Sequence, residues 1–94
     1  MILCVNTYRV KPGQRASLVA DLVQEGIADQ LQRLPGNVFF VFSLPIQDPE
    51  GLCLTDAWED EAAFQAHLNH PATLCWGELK ATYITDSQVR RYDL

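Results

Sequence analysis

The chain has 94 residues, so we expect a single domain over residues 1–94; a domain of this size buries only about 60% of its unfolded surface when it folds alone. Its composition, 48% hydrophobic and 20% charged, is typical of a globular protein and excludes extensive disorder. The net charge of −5 and the scattered Lys and Arg residues leave no basic stripe for a phosphate backbone, so nucleic-acid binding is not expected.

The sequence has neither a secretion-type N-terminal segment nor an apolar run near the about 18 residues of a membrane-spanning helix. Its three cysteines (Cys4, Cys53 and Cys75) are odd in number and lack the spacing of metal ligands. We therefore expect a cytoplasmic protein with reduced thiols and no membrane partner.

The first two elements are a strand and a helix. Residues 2–10 are β-prone and stop at Pro12-Gly13, where proline removes a backbone donor and glycine admits a turn. From Gln14 to Leu34, apolar residues recur at spacings of three and four and predict one long amphipathic helix, which Pro35-Gly36 ends.

A hairpin is predicted next. An unbroken apolar run lies within Asn37 to Leu44, and Asp48-Pro49-Glu50-Gly51 has the residue preferences of a type I turn. Leu52 to Trp58 then returns as the third strand.

The last third of the chain predicts two short helices and a strand. Asp60 can cap a helix that runs to about Leu68, and Pro71 suits the first turn of the next helix. A final strand is predicted over Gln88 to Asp93.

This order, βαββαβ, is typical of an α+β ferredoxin-like fold with a four-stranded antiparallel sheet. Helices in such a fold cover one face of the sheet, yet the second strand is apolar on both faces: Phe39 and Val41 alternate with Phe40 and Phe42. The apolar surface on the face without helices should be buried by another subunit, so we expect a homodimer with its sheets face to face. Phe40 and Phe42 are assigned to the core of that dimer.

Several short motifs follow one another in a characteristic order. They are Pro12-Gly13, Leu34-Pro35-Gly36, Asp56-Ala57-Trp58, and Ala63-Phe64-Gln65-Ala66-His67 followed by Pro71. Together they resemble the antibiotic biosynthesis monooxygenase (ABM) domain, over nearly the whole chain. The resemblance implies a dimeric α+β barrel, in a superfamily that includes quinol monooxygenases without cofactor or metal, a phosphosugar isomerase, haem-degrading enzymes and proteins of no known activity.

Two residues are predicted to be catalytic. His67 shares a helix side with Ala63 and Phe64 and matches the family's histidine, so its neutral imidazole could take a proton from a phenol or enol. Asn6 lies mid-strand, where asparagine is disfavoured, and its amide could hold a substrate oxygen or stabilise an oxyanion. The alternatives are a packing histidine and a buried amide that is satisfied by backbone or water.

Three aromatic residues are predicted to bind substrate: Trp76 as a pocket wall, Tyr8 on the face of Asn6, and Trp58, whose place at a strand end also gives it a structural role. Asp56 is expected to anchor the sheet or to make a contact across the dimer interface. His70 is expected to be a solvated turn or helix-cap residue.

The chain also departs from some relatives. Haem-degrading members carry tryptophan where this chain has His67 and an iron-binding histidine where it has Gly77, and glycine cannot ligate iron. Many ABM proteins have histidine after the proline of the last helix, whereas Ala72 stands here.

Two functions are therefore weighed. The first is a cofactor-independent monooxygenase that oxidises a small aromatic quinol or polyphenol with O2. The second is a binding protein or an isomerase for a small carbonyl compound or phosphosugar. A phosphosugar needs converging cations, and only Arg9, Arg90 or Arg91 can be placed near the pocket, which favours an uncharged aromatic ligand.

Overall fold

The computed structural model describes all 94 residues as one antiparallel sheet with four helices on one of its faces. The α+β ferredoxin-like fold is confirmed. The elements are β1 (Ile2–Val10), α1 (Arg15–Glu25), α2 (Ile27–Gln32), β2 (Asn37–Ser43), β3 (Gly51–Trp58), α3 (Glu61–Leu68), α4 (Pro71–Tyr83) and β4 (Ile84–Asp93).

The sheet has the strand order β2-β3-β1-β4, so β1 and β3 occupy its centre. In this register Asn6 pairs with Leu54 of β3 on one side and with Val89 of β4 on the other. The last strand starts at Ile84, directly after α4, which is earlier than the predicted start at Gln88. Asn6 thus lies on the central strand, in the middle of the sheet.

The prediction of one long helix over Gln14 to Leu34 was wrong. Gly26 adopts φ 62°, in the left-handed region that glycine enters without steric cost, and divides the segment into α1 and α2. The apolar period continues across the break, because Ile27 and Leu31 are also buried. The bend lets α2 follow β2, to which the Gln32 Nε2 amide donates at the Phe40 carbonyl (2.7 Å).

The starts of both later helices are as predicted. The Asp60 carboxylate caps α3 by accepting from the Ala63 backbone N–H (2.8 Å). Pro71 opens α4, and Nδ1 of His70 caps it by accepting from the Ala72 backbone N–H (3.0 Å). The helix-cap interpretation of His70 is confirmed.

The assignment of Phe40 and Phe42 to a dimer core was wrong. Phe40 pairs with Asp56 and Phe42 with Leu54, on the face that the helices cover, and Phe40 is only 2% exposed. A register irregularity between Asn37 and Phe39 makes the strand's alternation hard to anchor from sequence. Both rings belong to the core of the single chain.

The opposite face of the sheet, called the open face below, carries no helix. Its apolar residues come from β1, β2 and β4, and Val41 is 48% exposed. The members are Leu3, Val5, Phe39, Val41 and Tyr92. None of the four helices combines the length and the apolar character that crossing a bilayer requires.

Candidate functional site

A cavity of about 190 Å³ lies between the covered face of the sheet and the helices α3 and α4. Most of its walls are apolar, and its polar groups come from β1, β3 and the two helices. The lining residues are Cys4, Asn6, Tyr8, Leu31, Phe40, Leu54, Asp56, Phe64, His67, Leu68, Thr73, Trp76, Lys80 and Val89. An apolar enclosure with a few convergent polar groups is the usual form of a small-molecule site.

His67 is held from three sides. Its Nδ1 hydrogen-bonds to the Phe64 carbonyl one turn earlier in α3; because a carbonyl only accepts, Nδ1 carries the proton. The Trp58 ring stacks on the imidazole at 4.2 Å between centroids and 14° between planes. The Thr73 hydroxyl donates to the His67 carbonyl (2.6 Å), which joins α4 to α3.

This arrangement leaves Nε2 as the unpaired ring nitrogen of His67. No fully buried side-chain nitrogen or oxygen lacks a partner, so Nε2 is accessible, and His67 is one of the residues that line the cavity. Burial lowers the pKa of His67, although the bond to Phe64 and the charge of Asp56 oppose that shift. The imidazole is therefore neutral at pH 7, with a lone pair on Nε2 that can accept a proton.

Asp56 connects the histidine to the sheet. It is buried, and its Oδ2 accepts from the indole Nε1 of Trp58 (2.8 Å), the ring that stacks on His67. Its Oδ1 accepts from Nδ2 of Asn6 (3.2 Å). Burial raises the pKa of Asp56, while Trp58, His67 and Asn6 stabilise the charged form. Asp56 is a positioning residue and does not contact His67 through a hydrogen bond.

Asn6 presents an acceptor to the cavity. Its Nδ2 donates both to Asp56 and to the Leu54 carbonyl (3.1 Å), so both amide hydrogens are used within the protein. If the amide of Asn6 were turned by 180°, its Oδ1 would face two acceptors, the Leu54 carbonyl and the Asp56 carboxylate, and neither hydrogen bond could form. The remaining atom, Oδ1, can accept from a ligand hydroxyl. Of the two roles predicted for Asn6, this geometry supports holding a substrate oxygen rather than donating to an oxyanion.

Trp76 forms the aromatic wall. Tyr8 and Phe42 meet its ring edge-on, with centroids at 5.4 and 5.1 Å and interplanar angles of 85° and 73°. Such edge-to-face pairs fix the indole plane; Trp76 is 3% exposed, so only a small part of its surface faces the cavity. Burial raises the pKa of Tyr8 to about 12, and burial also raises the pKa of Cys4 to about 11, so both groups stay protonated at neutral pH.

The cations that sequence placed near the pocket do not line it. Arg9 pairs with Asp48 (3.0 Å), and Arg91 pairs with Glu61 (2.8 Å). Arg90 is on the open face, opposite Val5. The cation that does line the cavity is Lys80.

Four of the five predicted site residues meet at one cavity: Asn6, Tyr8, His67 and Trp76. Trp58 does not line it, because the indole is fully buried behind His67. Sequence reasoning expected Asp56 to anchor the sheet, which its bonds to Asn6 and Trp58 fit, but it did not place Asp56 or Lys80 in the cavity. Both carried a readable signal: Asp56 shares a strand face with Trp58, and Lys80 lies one helical turn after Trp76.

A larger apolar depression of about 560 Å³ runs between α1, α2 and β2. Its one ionisable lining residue is Asp29, which is exposed and paired with Arg33 (3.0 Å). It has no group placed for proton transfer, so we centre the site on His67. No group of three or more His, Cys, Asp or Glu side chains is arranged around a metal position, and the three cysteines are free thiols.

The sequence profile of the family described as antibiotic biosynthesis monooxygenase matches residues 1–78. The chain belongs to the ABM family. A search of curated proteins returned no match.

Solved structures of ABM-like proteins share this fold. A Nitrosomonas europaea protein described as a candidate antibiotic biosynthesis monooxygenase has a TM-score of 0.88 at 20% identity, with 100% of this chain and 98% of the other covered. A Deinococcus radiodurans protein with the same description has a TM-score of 0.86 at 21% identity, with coverage of 100% and 92%. At these identities the likeness shows the fold alone.

Proposed function

We propose that this ABM protein is a cofactor-independent monooxygenase that oxidises a small aromatic quinol with O2. One observation carries the proposal: the cavity that His67, Asn6 and Trp76 share, with Nε2 of His67 unpaired. In this assignment His67 is the base, Asn6 accepts from a substrate hydroxyl, and Trp76 packs on the ring. Tyr8 adds a hydroxyl-bearing wall.

The proton transfer prepares the substrate for oxygen. O2 reacts slowly with closed-shell molecules, and a quinolate is a far better electron donor than a quinol. Nε2 of His67 takes the phenolic proton, and the neighbouring Asp56 charge favours the resulting imidazolium. The quinolate then supplies electrons to O2 without any further reductant.

The reaction balances for the simplest quinol. Hydroquinone and O2 give hydroxyquinone and water: one oxygen atom forms a new C–O bond on the ring, and the other leaves as water after the O–O bond breaks. The substrate loses four electrons and O2 gains four. The imidazolium of His67 returns its proton to the departing oxygen, which restores the base.

A second candidate function is an isomerase or binding protein for a small carbonyl compound. The observation in its favour is Lys80, since a cation in the cavity suits an anionic ligand. His67 would then move a proton next to a carbonyl without O2. The aromatic walls formed by Tyr8, Phe40, Phe64 and Trp76 favour a planar ring over a sugar, so we place this function second.

We also propose that two copies pair through their open faces. Exposed Phe39, Val41 and Tyr92 form one apolar surface with Leu3 and Val5, and burial of several hundred Å² of such surface is worth on the order of 10 kcal/mol. A second copy offers the same surface and closes the interface by two-fold symmetry.

The monooxygenase proposal is tested by oxygen uptake and product mass with ¹⁸O2. A panel of substituted hydroquinones is incubated with the protein in the presence of a metal chelator. We expect one labelled oxygen atom in the product and a 10²- to 10⁴-fold lower kcat/KM for His67→Gln, because the general base is lost. Gln fills much of the imidazole volume but has no basic nitrogen, which limits the structural disturbance.

The matched control is His70→Asn, which removes the other histidine but keeps a helix-capping side chain outside the cavity. We expect wild-type turnover from it. Turnover by His67→Gln equal to that of the control would refute His67 as the base. Absence of oxygen uptake together with deuterium exchange beside a carbonyl group would favour the second candidate.

A further inference from the structure

Lys80 is a cation that faces the His67 cavity. It lies on α4 one turn after Trp76, and its Nζ sits over the Trp76 ring at 5.5 Å from the centroid. It is half-buried and lines the same cavity as His67 and Asn6. The stem of the side chain covers apolar surface while the ammonium group stays at the ring, the usual behaviour of a lysine at an aromatic wall.

The ammonium group has no anionic partner in the protein. Arg9, Arg33 and Arg91 each pair with at least one carboxylate, but no carboxylate lies within ion-pair distance of Lys80. Burial alone lowers the pKa of Lys80, and no neighbouring charge contributes to the shift. A partly desolvated cation without a counter-ion is costly unless a ligand supplies one.

Lys80 and His67 line the same cavity from two helices, α4 and α3. Thr73, in the first turn of α4, joins that helix to α3 through its hydroxyl bond to the His67 carbonyl. Lys80 follows seven residues later on the same helix, about 10 Å along its axis. Trp76 lies between them. A ring on Trp76 would therefore direct one substituent at His67 and another at Lys80.

We propose that Lys80 binds an anionic substituent of the ligand, and that the site takes a hydroxylated aromatic carboxylate with a single ring. This inference rests on the proposed function for the phenolic end of the ligand and adds the group at the other end. The volume of about 190 Å³ limits the ligand to one ring, since sites for drug-sized molecules occupy about 300–1,000 Å³.

The net charge of the chain cannot produce a preference for an anionic ligand over a neutral one. The chain carries a net charge of −5, which repels anions in general. At physiological ionic strength that repulsion is screened beyond about 8 Å, whereas a contact with Lys80 is not. A preference for an acid over a neutral analogue would thus report a local cation.

The test uses calorimetry with 4-hydroxybenzoate and 4-hydroxybenzamide, two probes of nearly equal shape that differ in charge. Neither is a quinol, so binding is measured apart from oxidation. We expect the wild type to bind the acid about tenfold more tightly than the amide, as a charge-assisted contact predicts. Lys80→Met should lose this preference and keep its affinity for the amide. Lys80→Arg, which retains the charge, should keep part of the preference.

The matched control is Lys11→Met, which removes an exposed lysine far from the cavity and should leave both affinities unchanged. Equal binding of acid and amide by the wild type, or no binding of either, would overturn the inference. So would an unchanged preference in Lys80→Met. If quinol oxidation persists in those cases, the proposed function survives without the Lys80 contact. If Lys80 governs acid binding but no quinol is oxidised, the Lys80 contact is supported and the monooxygenase proposal is refuted.

Discussion

The two faces of the sheet use their side chains differently. On the covered face, polar groups lie among aromatic rings, and every fully buried side-chain nitrogen or oxygen has a partner: Asn6 and Trp58 both donate to Asp56. On the open face, Phe39 is 36% and Val41 is 48% exposed. The lining of the His67 cavity comes from the covered face and its helices, whereas the open face carries exposed apolar side chains.

Stability and the proposed chemistry should therefore depend on the covered face, and association of subunits on the open face. Changes on the covered face should alter folding and the site, and changes on the open face should alter association. Largely independent effects are expected because side chains on opposite faces of a sheet point away from each other. The following predictions test that separation.

The largest effect is expected for Trp58→Ala. The indole is fully buried, stacks on His67 and donates to Asp56, so its removal leaves both a cavity and an unpaired acceptor. We expect the free energy of unfolding in urea to fall by about 3–5 kcal/mol. Val23→Ala, at a site 75% exposed on α1, should change it by less than about 0.5 kcal/mol. Similar losses for both variants would contradict the described core.

A smaller loss is expected for Asp56→Asn. The carboxylate accepts from two donors, and an asparagine amide can accept from only one of them while its NH2 opposes the other. We expect about 1–3 kcal/mol lower stability in urea unfolding. Unchanged stability would mean that relief of the carboxylate's desolvation, which raises the pKa of Asp56, fully offsets the lost hydrogen bonds.

On the open face, Val41→Glu should act on association. It places like charges near each other in a two-fold dimer, so we expect the dimer dissociation constant to rise at least about tenfold in sedimentation experiments. Val23→Glu adds the same charge on α1 and should leave association unchanged. A wild-type protein that sediments as a monomer at micromolar concentration would refute the face-to-face dimer.

The smallest expected effect is a shift of the pH profile. Because burial lowers the pKa of His67 below 6.5, the base stays neutral to lower pH, and the acid limb of kcat/KM should lie below pH 6.5. The Asp56 charge raises the pKa of His67, so Asp56→Asn should move the limb further down. An acid limb above pH 6.5 would contradict His67 as the titrating base.

Local patterns predicted most of the fold and part of the site. Strand alternation placed Asn6 and Tyr8 on one face, and the Asp60 and Pro71 signals located both later helices. The break at Gly26 was hidden because the apolar period continues into α2. The side of Phe40 was missed because periodicity does not say which face the helices cover.

The missing parts of the site depend on tertiary contacts. No local pattern states that both amide hydrogens of Asn6 are used by Leu54 and Asp56, so its role as an acceptor emerges only from the folded chain. A lysine near the end of a helix is typical of a solvated charge. The role of Lys80 follows only from the folded chain, in which its Nζ lies over the Trp76 ring.

Phe40 has a position that bears on substrate range. Phe40 is the one residue that lines both the His67 cavity and the larger apolar depression beside α1 and α2, so it lies between the two spaces. The residue that limits the size of the ligand, Phe40, is therefore not the residue proposed to move the proton, His67. Shortening this one residue, as in Phe40→Ala, should join the two spaces and admit ligands larger than a single ring.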